Sequence, residues 1–228
     1  MYDAVNDPYT YEGSTVLRNL LDLREAEELD AFEAEISTQR ASEPLPAGNL
    51  DFAHYCAVHH HLFQDVYEWA GKPRTVRISK AGNPFCFPEH IESQDNKLFG
   101  GLEAANFFQD LAPEDFAEKA AHFLAELNAI HAYRGGNGRS QLAFFDMLAT
   151  HAGYPPDIDH LDTKRMLEAM IASFDGGNAI TRSYCRADRL DTTAQWEITC
   201  HGCGPRDHDD PAPVMNRQPV AGLPASGF

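Results

Sequence analysis

The sequence predicts a mainly α domain carrying one small β-hairpin. Three observations point there. Apolar residues recur at spacings of three and four through most of the stretch 24–174, only one segment alternates with period two around a turn, and prolines and glycines separate the periodic runs. The 228 residues are 43% hydrophobic and 11% aromatic, enough to bury one sizeable core. That mixture excludes collagenous, coiled-coil and wholly disordered chains.

The first helix is expected from Arg24 to Arg40, with Leu29, Phe32 and Ile36 inward and Pro44 and Pro46 beyond its end. Its acidic run Arg24–Glu35 reads as a solvated face, with Arg24 and Glu28 as an i,i+4 pair. A second helix starts near Asn49 or Asp51 and runs to Trp69, where Gly71 and Pro73 stop it. Its His59-His60-His61 cannot share a metal ion, because consecutive helical positions point apart. His59 is expected in the core and its neighbours in solvent.

Thr75–Ser79 and Pro84–Phe87 alternate around Lys80-Ala81-Gly82-Asn83, which is the hairpin signal. Pro88 opens a helix to about Gly100. Pro113 opens a longer one, with Phe116, Ala120, Phe123, Leu124, Leu127 and Ile130 inward, ending at His131. A further helix passes through Leu142, Phe145 and Leu148 to Gly153 and Pro155, and Thr163 to Phe174 gives the last. After about Asp188 the periodicity is lost among prolines and glycines. The expected organisation is a domain over 1–190, with its core at about 50–175 and a helical extension over 1–48, then a flexible tail over 191–228.

Lys and Arg number 18 against 35 Asp and Glu, a net charge of −17 with no basic cluster. Phosphate backbones and anionic membrane surfaces repel such a chain, so neither nucleic acid nor a membrane is an expected partner. The N-terminus lacks the basic start and apolar run of a secretory signal, and no run of about 18 apolar residues could span a bilayer. Five cysteines, at 56, 86, 185, 200 and 203, are an odd count and read as thiols in a reducing cytoplasm. Cys200-His-Gly-Cys203 has the C-x-x-C spacing of metal and redox sites, but no second pair accompanies it, and chance spacing is the simpler reading.

The chemically informative segment is Ile130-His131-Ala132-Tyr133-Arg134-Gly135-Gly136-Asn137-Gly138-Arg139-Ser140. A histidine ends one helix, and a glycine-rich turn brings backbone N–H groups together at the start of the next. Such a turn forms an anion nest, strengthened by the helix dipole. Arg139 adds a forked donor for phosphate oxygens, and His131 is placed to act as a general base. The same residues could also form a plain helix–turn–helix connection. A strand–loop–helix phosphate loop does not fit, since no strand precedes and no lysine stands in place.

The segment His131 to Arg139 resembles the Fic family signature, H-x-F-x-[D/E]-G-N-G-R-x-x-R. Leu62–Lys72 and Arg74–Lys80 are similar to that family's helix and flap hairpin, and Asp7-Pro8-Tyr9 with Val16-Leu17-Arg18-Asn19 to its opening. The resemblance covers roughly residues 5 to 175 and implies the helical Fic (Fido) fold. It further implies transfer of AMP from ATP to a Ser, Thr or Tyr hydroxyl of a target protein. By this resemblance His131 is the base, and Gly136, Asn137 and Gly138 hold the α-phosphate. Asn137 and Arg139 bind phosphates, and Ile78, Ser79 and Lys80 clamp the target by main-chain pairing.

Tyr133 in place of the pattern's Phe is a mild change, and two further departures matter. The acid that holds Mg²⁺ in the family is Gly135 here, so the expected metal lacks its protein ligand. The final arginine is Leu142. The resemblance also implies a toxin restrained by an [S/T]-x-x-x-E-[G/N] helix. The one loose internal match, Thr193 to Glu197, is followed by Ile198, which points to a small antitoxin partner or to no restraint. Transfer of another phosphate-containing group, or a weakened Fic fold that binds nucleotide or protein, stay open as alternatives. Delivery into another cell stays open beside a cytoplasmic location.

Overall fold

The computed structural model describes residues 7–80 and 83–156. The described chain is helical apart from a minimal hairpin: α1 (Ala26–Ala41), α2 (Phe52–Phe63), β1 (Ser79–Lys80), β2 (Asn83–Pro84), α3 (Pro88–Ala104), α4 (Pro113–Ile130) and α5 (Asn137–His151), with a single 3₁₀ turn at Asn106–Phe108. The expected helix over Thr163–Phe174, the tail, the Thr193–Glu197 match and Cys200/Cys203 lie outside the described residues.

α2 is the pillar, packing against α1, α3 and α5. Asp51 caps it by accepting from the His54 N–H at 2.8 Å. Tyr55, Val58, His59, Leu62 and Phe63 are all buried along its inner side. Around it Phe99, Phe123, Leu124, Leu127, Phe144, Phe145 and Leu148 complete one core, in which edge-to-face aromatic pairs such as Phe99–Phe144 recur.

Several boundaries differ from expectation, each for a local reason. α2 ends at Phe63, not Trp69: the Val66 N–H turns to the Phe63 carbonyl three residues back, at 3.0 Å, and the Val66 carbonyl accepts from the Leu20 N–H, at 2.9 Å. The N-terminal segment thereby belts the helix end, and Val66 and Tyr67 are still buried. α3 runs on past Gly100 and Gly101, because Leu102 beyond them is buried and holds the helix down. The hairpin is shorter than its alternating pattern: only Ser79↔Pro84 and Lys80↔Asn83 pair. Its outer carbonyls, Val76 and Cys86, accept from the Arg74 guanidinium rather than from each other's strand. Arg24 pairs with Asp22 at 2.7 Å and lies over the Tyr11 ring, so the anticipated Arg24–Glu28 pair does not form.

Candidate active site

The loop between α4 and α5 is built from residues that leave each other little freedom. α4 stops because His131 adopts a left-handed conformation (φ 52, ψ 61), costly for a residue with a side chain. Its ring is buried, stacks on Phe85 at 3.9 Å and uses Nδ1 to reach the Asn128 carbonyl at 3.1 Å. A carbonyl only accepts, so Nδ1 carries the proton and Nε2 carries the lone pair. Burial, with the positive charges of Arg74 and Lys80, pushes the imidazole pKa down to about 3. His131 is therefore neutral over the physiological range, the state a general base requires.

Gly136 turns the chain with φ +75, and a Cβ there would sit 2.4 Å from the Phe63 ring. Only glycine fits. The N–H groups of Asn137, Gly138 and Arg139 open α5, where a helix has no internal acceptors to offer them. This is the anion nest. The Asn137 side chain is fully buried and turned back on the loop: it accepts from the Tyr133 N–H at 3.0 Å and donates to the Tyr133 carbonyl at 2.8 Å. Its amide thus braces the nest, and what it offers an anion is its backbone N–H.

Four residues outside the signature hold the loop from behind. His59, buried as expected, accepts from the Gly71 N–H at Nδ1 and therefore donates from Nε2 to the Gly135 carbonyl, at 3.0 Å. Burial lowers its pKa to about 3, which keeps that tautomer. Asp7 forms a buried ion pair with Arg134, with contacts of 2.6 and 2.7 Å. Glu33 of α1 accepts from Arg139 and from the Tyr67 hydroxyl, while Ser37 accepts from Arg139 at 2.7 Å. The acidic stretch Arg24–Glu35 is therefore not simply a solvated face. Nothing in its composition separates Glu33 from its acidic neighbours, and only the packing of α1 on α2 selects it.

The flap sits against the same loop. Ile78 is buried with Phe85 and Val76, so its side chain seats the hairpin and its carbonyl accepts from the Phe85 N–H. Ser79 and Lys80 form the paired strand, and burial lowers the Lys80 pKa. His60 is exposed, whereas His61 is half-buried and bonds the Arg40 carbonyl.

The donor set does not fit a Mg²⁺ ion. The signature's acid position is Gly135, the Asp7 and Glu33 carboxylates are each taken by an arginine, and no metal-holding group of three His, Cys, Asp or Glu occurs among the described residues. Leu142, in the place of the last arginine, packs on the core.

A helix–loop–helix in which a neutral histidine ends one helix and an anion nest starts the next, with a hairpin laid across it, defines a class of helical domain that places its chemistry on a helix start without a nucleotide-binding sheet. The chain belongs to the Fic/DOC family, whose family model matches residues 49–149. A relative from Sinorhizobium fredii, the probable protein adenylyltransferase y4lH, is 52% identical over 176 residues, covering 77% of this chain and 92% of that protein. A probable protein adenylyltransferase of Salmonella typhimurium is 40% identical over 152 residues, 65% of this chain and 74% of that relative. Among solved structures, BepC of Bartonella tribocorum with bound AMPPNP superposes with a TM-score of 0.67 at 26% identity, covering 76% of this chain and 92% of that one.

Proposed function

We propose that this chain is a protein adenylyltransferase that moves AMP from ATP to a Ser, Thr or Tyr hydroxyl of a target protein. The observation that carries the reading is the neutral, oriented His131 beside the Gly136–Arg139 nest. The Nε2 lone pair takes the proton of the target hydroxyl, and the oxygen attacks the α-phosphorus. The bond to the bridging oxygen of the β-phosphate breaks, and pyrophosphate leaves. Charge developing on the α-phosphate falls on the nest N–H groups, with Arg139 the cation beside them. The flap strand Ser79–Lys80 presents a short edge that an extended target segment can join.

The adenylyltransferase names of the relatives and the AMPPNP bound to BepC support this reading. The missing acid at Gly135 is the specific observation that favours a second one, a weakened Fic fold that binds nucleotide without transferring it. Incubation with ATP labelled at the α or the γ position separates the readings. Label from α alone means adenylylation, label from γ alone means phosphoryl transfer, and retained nucleotide without label means a binding module. In the first case His131→Ala is expected to abolish labelling; persistent label in that variant would remove His131 as the base.

Cys56 and Cys86 are free thiols, which supports a reducing, cytoplasmic setting. No described helix is long and apolar enough to cross a membrane. A toxin role with a small antitoxin partner bearing the [S/T]-x-x-x-E-[G/N] helix is testable by co-purification of the chain from its native source.

A further inference from the structure

Arg74 is buried, and its guanidinium donates to four backbone carbonyls. Nε donates to the His131 carbonyl at 2.9 Å, and one Nη donates to Val76 at 2.6 Å. The other Nη reaches both Cys86, at 2.5 Å, and Ile130, at 3.3 Å. Its own N–H bonds the Ala132 carbonyl at 2.8 Å. Ile130 and His131 are carbonyls that the end of α4 leaves without helical partners, at the negative pole of that helix, and Ala132 follows directly beyond it. Val76 and Cys86 are the two roots of the hairpin. A single planar fork therefore ties two consecutive carbonyls of the histidine turn, Ile130 and His131, to both legs of the flap, while the Arg74 backbone N–H holds the next one, Ala132. No lysine could match it, because an ammonium is a point charge without the fork.

The tie is reinforced on either side. The Cys86 N–H donates to the Ala129 carbonyl at 3.2 Å, and Phe85, next in the strand, stacks on the His131 ring. The charged groups that bear on the imidazole are Arg74 and, from β1, Lys80. Phe85 and the Asn128 carbonyl, which also pack on it, carry no charge.

We propose that Arg74 is a positioning residue that makes the flap hairpin and His131 one mechanical unit, so that a target segment docking on the flap is registered against the base. It touches no reacting atom and acts through the backbone of the turn and through its charge. The proposal rests on His131 as the base of the proposed transfer, but its test reads the molecule by NMR whether or not transfer occurs.

In the full wild-type chain, hydrogen exchange of the Arg74 Nε–H and of the Phe85, Cys86 and His131 amides is expected to report one shared opening, with equal protection and equal dependence on denaturant. Hairpin amides that open separately, with protection at least about tenfold lower than His131 and Arg74, would overturn the coupling. Arg74→Lys is expected to raise Phe85 and Cys86 exchange about tenfold or more, since each charge-assisted hydrogen bond is worth at least that factor. The His131 imidazole, titrated by its nitrogen resonances, should stay neutral there and titrate at higher pH only in Arg74→Gln, which removes the charge. A residue that merely fills space would leave that titration alike in both variants, and an unchanged imidazole in Arg74→Gln defeats the proposal. Where either variant fails to fold, the wild-type exchange pattern alone decides.

Discussion

Adjacent glycines in the loop have opposite tolerances. Gly136 needs its left-handed backbone and the space that a Cβ would take from Phe63. Gly136→Ala is expected to cost about 1–2 kcal/mol from backbone strain alone, and more from the contact. A lowered unfolding midpoint in calorimetry and weaker nucleotide binding would both register it. At Gly135 a Cβ meets only the edges of Trp69 and Leu17 at 3.5 and 3.6 Å, ordinary contact distances, and the backbone imposes no strain. Gly135→Glu is therefore expected to fold and to raise Mg²⁺-dependent label transfer, by returning a carboxylate to the one position where the chain departs from the signature's metal ligand. Equal transfer rates for the two proteins would mean that this carboxylate is dispensable.

Between elements, the loop is held by residues far away in sequence. The N-terminal belt lays Asp7 against Arg134, both nearly excluded from solvent. Neutralising Asp7 removes the charge-assisted hydrogen bonds of this pair, so Asp7→Asn is expected to destabilise the fold by about 1.5–3 kcal/mol. A urea midpoint equal to wild type would show that the pair contributes nothing. α1 reaches the site through Glu33 and Ser37, and α2 through His59 and Phe63. The nest is thus the meeting point of the belt, α1, α2 and α5.

For the whole molecule, three buried titratable groups set the response to acid. His59 and His131 have pKa values near 3 in the fold, against about 6.5 when unfolded. The unfolded chain takes up their protons first, so their contribution is complete above pH 6.5 and is lost as the pH falls toward 3. Asp95, buried without a hydrogen-bond partner, is raised from 3.8 to about 7. Its contribution runs the other way, complete below 3.8 and lost as the pH rises to 7. Between 3.8 and 6.5 two histidines oppose one aspartate, and stability should fall on acidification by about 1.4 kcal/mol per pH unit. Asp95→Asn removes the opposing group and should roughly double that slope, measured by denaturant melts at pH 5 and pH 6.5. Identical slopes would mean that Asp95 is ionised in the fold.

The sequence by itself determined the helical class, the approximate span of each described helix and the nine-residue stretch His131–Arg139 on which the proposed base, nest and cation lie. Those features are local: apolar periodicity, a proline at a helix start and a glycine run depend on neighbours a few residues away. Only the tertiary structure decided that the α2 helix ends early, that the hairpin's outer carbonyls turn to Arg74, that Asn137 braces the loop, and that Glu33, out of an acidic run, forms the ion pair with Arg139. The first, second and fourth of those outcomes depend on a hydrogen bond or ion pair between separate segments, and Asn137 turns back on Tyr133 four residues away. Arg74 and Glu33 carry no local mark of their partners, because a buried fork and a buried carboxylate have the same spelling as exposed ones.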